Sequence, residues 1–188
     1  MSSTTTVERE IKLRYDSVES ARAAVPAAGA TPLLGRRLQE DALLDTEDES
    51  LRIRRCVLRI RLENGNSRIT FKGPVQPSVM KLRDEFETIV GDGVLLLRIF
   101  EELGFHVWFR YEKYREEFCH EEVIVAVDET PVGVFVEIEG SEAGITTMAT
   151  LLGRRAEDYI VDSYRGLYLK YRDDAGIKGP DMLFDPAA

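Results

Sequence analysis

Glu8, Glu10 and Lys12 fall at alternate positions in V-E-R-E-I-K-L, residues 7–13. In a strand, successive side chains point to opposite faces, so two carboxylates and an ammonium line one face, neighbours roughly 6–7 Å apart. Carboxylates that close repel unless a cation joins them, and a hard divalent metal with oxygen ligands is the usual one. One such segment by itself reads more simply as an amphipathic strand with its charged face in water. Repetition along the chain decides between the two.

The pattern does repeat. Leu58-Arg59-Ile60-Arg61-Leu62 alternates and is followed by Asn64-Gly65, a hairpin turn signal; Arg68-Ile69-Thr70-Phe71-Lys72 returns in the same style. Lys81, Arg83, Glu85 and Glu87 share the next face. Lys113-Tyr114-Arg115, residues 124–128 and Val134-Phe135-Val136-Glu137-Ile138-Glu139 complete the set, the last two joined across Pro131-Val132-Gly133. Nearly every connection is short enough for antiparallel pairing. If the sheet closes, its apolar faces lie under helices and its charged faces line a wet interior. Burying so many unpaired charges would cost several kcal/mol each, so they must offset one another, stay hydrated or hold a ligand. A polyphosphate carrying divalent metals suits both signs, because Arg and Lys grip phosphates and carboxylates grip metals.

The elements that must position these residues belong to one domain, residues 1–188, large enough for a real core. Formal net charge is −9, which argues against a nucleic-acid partner. Within that acidic chain, residues 52–83 hold nine Lys/Arg against the single acid Glu63, and such a basic segment asks for an anionic ligand. Cys56 and Cys119 lack CxxC spacing, and no signal peptide is evident, so a reducing cytoplasm is expected. No apolar run reaches membrane-spanning length. His106 and His120 have no metal-binding spacing, which disfavours a zinc site or a Ser/His triad. Helices are expected over 17–24, 92–103, 141–152 and 157–171, the last with Ile160, Val161, Tyr164, Leu167 and Tyr168 as a core-facing stripe. From 173 onward the chain is expected to be irregular.

Glu8-x-Glu10-x-Lys12 resembles the ExExK signature of the CYTH superfamily, the triphosphate tunnel metalloenzymes. Further elements follow in register: Gln39-x-Asp41 with Asp45-Thr46, Leu58-Arg59-Ile60-Arg61, Thr70-Phe71-Lys72-Gly73-Pro74, Arg83-x-Glu85-x-Glu87, Lys113-Tyr114-Arg115, Asp128, Gly133, Glu137-x-Glu139, Leu152-Gly153 and Ser163-Tyr164. The resemblance implies an α+β fold, a closed eight-stranded antiparallel β-barrel or tunnel with peripheral helices. It implies Glu8, Glu10, Asp128, Glu137 and Glu139 as ligands of Mg²⁺ or Mn²⁺, and Lys12, Arg59, Arg61, Lys72, Arg83, Lys113 and Arg115 as triphosphate contacts. Catalysis would centre on Glu8, Glu10, Lys12 and Glu139.

Glu85 and Glu87 read either as metal ligands or as partners of the tunnel arginines. Arg55 leans to the surface, and Trp108 and Tyr164 to packing. The expected activity is hydrolysis of a triphosphate: inorganic, thiamine or nucleoside. The alternatives are an adenylate cyclase releasing cyclic AMP and pyrophosphate, and a non-catalytic polyphosphate-binding module. Residues 1–6 lack the His-Phe element of some cyclases, which favours hydrolysis. The partner would be a small triphosphate compound bound by a monomer or homodimer, with no nucleic acid or membrane.

Overall fold

The computed structural model describes residues 6–176 and 179–185. Eight antiparallel strands close into a barrel in the order β1-β5-β4-β3-β2-β6-β7-β8. They are β1 Thr6–Tyr15, β2 Thr31–Thr46, β3 Val57–Glu63, β4 Asn66–Lys72, β5 Lys81–Val90, β6 Phe105–His120, β7 Val123–Thr130 and β8 Gly133–Glu139. The helices are α1 Val18–Ala27, α2 Ser50–Ile53, α3 Gly93–Glu102, α4 Glu142–Leu151 and α5 Tyr164–Ala175. The expected eight-stranded α+β barrel is the observed fold.

Alternation sets which side chains enter the barrel. On β1, Ile11 and Leu13 point outward into a core with Val125, Val127, Val136 and Ile138, covered by Val25 of α1 and Ile145 and Met148 of α4. Glu8, Glu10 and Lys12 point the other way and are buried inside. Helix cover is incomplete around the wall: Val7 of β1 and Phe86 of β5 stay about half exposed on the outside. α3 packs closely, since a Cβ at Gly93 would come within 2.6 Å of both Leu62 and Ser67.

Four expectations need correction. β2 and β6 run for 16 residues each, well beyond the fragments legible in the sequence. Charges on both faces of these strands (Arg36 and Arg37, Glu116 and Glu117) hide the period of two. The helix expected over 157–171 is broken: a 3-10 turn at Ala156–Asp158 precedes an extended stretch in which Ile160 exchanges two 2.9 Å backbone hydrogen bonds with Lys12. α5 starts only after Ser163, whose hydroxyl caps it by accepting from the Gly166 N–H. α1 runs to Ala27, with Pro26 inside its last turn. The tail is not wholly irregular either, because α5 continues to Ala175, Gly176 caps it at φ 66°, and Met182 is fully buried against β6. Pro186 of that tail and residues 1–5 lie outside the described residues.

α5 sits over the end of the barrel where β1 finishes. There the inward-facing residues turn aromatic, and Phe109, Tyr111 and Phe135 pack against Tyr164, Leu167 and Tyr168 of the helix. One end of the barrel is thereby partly roofed and the charged stretch lies below.

Candidate active site

A cavity of about 540 Å³ occupies the barrel interior. Its walls carry Glu8, Glu10, Lys12, Arg59, Arg61, Lys72, Arg83, Lys113, Arg115, Glu137 and Glu139, drawn from seven of the nine segments that the sequence pattern singled out. Of the expected site residues only Asp128 does not line it. Asp128 lies behind the wall, fully buried, and receives Lys113 Nζ at 2.9 Å, Arg115 Nε at 2.7 Å and the Tyr164 hydroxyl at 2.5 Å. Those contacts hold Lys113 and Arg115 toward the cavity. Burial resists ionisation of Asp128, but Arg115 and Lys113 outweigh it and keep its pKa below the usual range.

Asp41 plays the same part on the opposite side. It is buried under Arg61, which donates from Nε at 2.9 Å and Nη2 at 3.1 Å, and lies 3.5 Å from Arg59 Nε. The bidentate geometry fixes one guanidinium plane. Arg59 also donates to Thr70 and Glu87, at 3.1 and 3.3 Å. Glu87 accepts from Arg68 and Thr70 as well, and Glu85 lies 2.9 Å from Lys72. In this structure both glutamates are partners of the basic wall.

The carboxylates on the β1–β8 side divide into paired and unpaired. Glu8 accepts from Lys72 Nζ at 2.5 Å and Arg83 Nε at 2.8 Å. Glu10 accepts from Lys12 at 2.8 Å and from Lys81 at 2.5 Å, while Glu137 pairs with Lys12 at 3.0 Å and Arg115 at 2.6 Å. Lys81, on the charged face of β5 yet absent from the residues expected to contact substrate, is thus a buried wall lysine. Among the described residues nothing pairs with Glu139. Partial burial, then the charges of Glu8, Glu137 and Glu10, push its pKa up to about 7.

Among the described residues no three His, Cys, Asp or Glu side chains stand ready-made as a metal cluster, because lysines and arginines separate the acids. The donor chemistry nevertheless fits a hard divalent ion. Glu10 and Glu139 occupy opposed positions on neighbouring strands, with Glu8 beside them on the same face, and Glu139 is an unpartnered carboxylate in their combined field.

Two residues expected to be packing or surface have other places. Tyr164 packs in the core, but its hydroxyl reaches Asp128, and its ring lies 4.8 Å from Lys113 Nζ and 5.1 Å from Lys12 Nζ. Arg55 is exposed, as expected, but at the cavity mouth. Neither position is legible from local periodicity, since each depends on where α5 and α2 dock.

The CYTH domain sequence profile matches residues 6–164. The chain belongs to the CYTH family. A protein of Methanocaldococcus jannaschii, named as a proposed adenylate cyclase, is 30% identical over 152 residues, covering 80% of this chain and 86% of that one. The solved PH1012 protein of Pyrococcus horikoshii OT3 superposes with a TM-score of 0.70 at 25% identity, over 84% of this chain and 96% of that one. A proposed adenylyl cyclase from Hippeastrum, described as having a dominant triphosphatase activity, superposes at 0.62 and 17% identity, over 93% and 97% of the two chains. CYTH enzymes include triphosphatases and adenylate cyclases. Among the described residues no helix of this CYTH protein is long and apolar enough to cross a membrane.

Proposed function

We propose that this protein is a divalent-metal-dependent hydrolase that releases phosphate from a triphosphate held in the barrel. The observation that carries it is the division of the cavity wall: a basic surface pinned from behind by Asp41 and Asp128, facing a carboxylate group in which Glu139 has no partner. A binding module for phosphate has no use for that unpaired acid. The triphosphatase activity described for the Hippeastrum relative supports the same conclusion.

Phosphoryl transfer needs positioning and charge neutralisation more than a covalent catalyst. Lys12, Arg59, Arg61, Lys72, Arg83, Lys113 and Arg115 would bind the phosphate oxygens. Asp41 and Asp128 hold the guanidinium planes before substrate arrives, so little reorganisation accompanies binding. Glu8, Glu10, Glu137 and Glu139 would hold Mg²⁺ or Mn²⁺, with Asp128 behind them ordering the basic side. When bound, the metal would neutralise phosphate charge and acidify a water molecule. Enclosure in the barrel keeps bulk water from screening these contacts.

The test is incubation with inorganic triphosphate, thiamine triphosphate and ATP, with Mg²⁺ or Mn²⁺, resolving phosphate, pyrophosphate and cyclic AMP. Phosphate release is expected. Cyclic AMP as the main product would establish the cyclase instead, and binding without turnover would establish the binding module.

A further inference from the structure

The α5 end of the cavity differs from its middle. On β2, Leu43 pairs with Phe109 but the next residue, Leu44, pairs with Val107. Trp108 is therefore the extra residue of a β-bulge, a device that re-aims a side chain out of strand alternation. Its indole lines the cavity mouth. Two arginines from different helical segments lie on that ring: Arg52 of α2 at 4.6 Å and Arg165 of α5 at 4.8 Å from the centroid. Arg52 is held by Asp45, which is fully buried and also accepts from the Leu51 and Arg52 backbone N–H groups. Among the described residues Arg165 has no carboxylate partner. Burial and the nearby Arg52 and Arg172 lower its pKa, so positive charge is concentrated there. The adjoining wall is apolar, formed by Leu43, Cys56 and Val57.

We propose that Arg52, Trp108 and Arg165 form a specificity subsite that takes a neutral, flat, acceptor-bearing ring, such as a purine, carried on the triphosphate. This rests on the triphosphate itself lying in the barrel. Guanidinium planes and an indole edge present stacking surfaces, and the arginine N–H groups satisfy ring nitrogen and carbonyl acceptors. A cationic ring such as the thiazolium of thiamine meets three arginines, counting Arg55, and is disfavoured. Inorganic triphosphate has nothing to place there. The mouth therefore ranks purine nucleoside triphosphates above thiamine triphosphate.

Trp108 is the sole tryptophan of the chain, so its fluorescence reports this subsite directly. Titration with ATP in EDTA should change the emission saturably, whereas inorganic triphosphate at saturation should leave it nearly unchanged. In steady-state assays, Arg165→Ala and Trp108→Leu should raise KM for ATP about 10-fold, by loss of one stacking contact. KM for inorganic triphosphate should stay within about twofold, which also reports that both variants are folded. Equal emission changes with both ligands, an unaltered ATP KM in both variants, or a lower KM for thiamine triphosphate than for ATP would overturn the subsite. Saturable ATP binding at Trp108 with no turnover of any triphosphate would instead overturn the hydrolase and leave the subsite standing.

Discussion

Glu10 of β1 and Glu139 of β8 stand directly opposite each other in the antiparallel ladder. Two rungs on, the same ladder opposes Lys12 to Glu137, and that pair is an ion pair. Like charges facing across one ladder destabilise it unless something else occupies the gap. Lys12 and Lys81 neutralise Glu10 and hold its pKa well below the usual range against burial, while Glu139 is left raised. That asymmetry marks where a cation belongs.

Stability of the metal-free protein should therefore fall as pH rises from about 4.5 to about 7. Glu139 keeps its proton in the folded state up to about 7 but loses it near 4.5 when unfolded, so the native state binds more protons throughout that window. Calorimetric Tm against pH should show the decline, and Glu139→Gln should flatten it. Mg²⁺ or Mn²⁺ should raise Tm more at pH 8 than at pH 5, because protons no longer compete for the carboxylates. An identical pH profile in the variant would remove Glu139 from this role.

Glu8→Gln and Glu10→Gln should each lower kcat/KM at least about 100-fold with a retained circular-dichroism spectrum, since altering even an indirect support of a metal costs about that much. Near-normal turnover at saturating metal would take them off the ligand set.

Asp41→Ala should destabilise the fold by about 3–5 kcal/mol in urea unfolding, because it leaves two buried guanidinium groups uncompensated. Saturating inorganic triphosphate should restore part of the loss by supplying the missing negative charge. A cost below about 1 kcal/mol would show that water reaches Arg61.

Lys81 and Lys113 both have pKa values lowered to about 8, first by burial and then by neighbouring cations. Above that pH the free protein loses ammonium groups from its phosphate wall, so kcat/KM should decline above about pH 8. In the complex the bound anion favours the charged forms, and the corresponding limb of kcat should lie higher. Lys113→Arg should move the kcat/KM limb upward; an unmoved limb would assign it elsewhere.

Tyr164→Phe should cost about 1.5–3 kcal/mol by leaving a lone pair of buried Asp128 unsatisfied. KM for triphosphate should rise through misplaced Lys113 and Arg115, with kcat less affected. A change in neither KM nor stability would confine Tyr164 to packing.

What the sequence determined by itself is the alternation. Charges spaced by two at Glu8/Glu10/Lys12, Arg59/Arg61, Arg83/Glu85 and Glu137/Glu139 fix which faces are shared, because strand geometry permits no other assignment. Barrel closure and the basic and acidic walls follow from those faces having to offset one another. The tertiary structure decided whatever depends on elements distant in the chain. Asp41 and Asp128 could not be known as buried clamps until β2 lay beside β3 and β7 beside β6. The break before α5 comes from Ile160 finding backbone partners on Lys12, about 150 residues upstream. Trp108 faces the cavity through a one-residue bulge that leaves no mark in periodicity. Local spacing fixes the direction of a side chain within its own strand; which charge or ring it meets there is set by packing across the barrel.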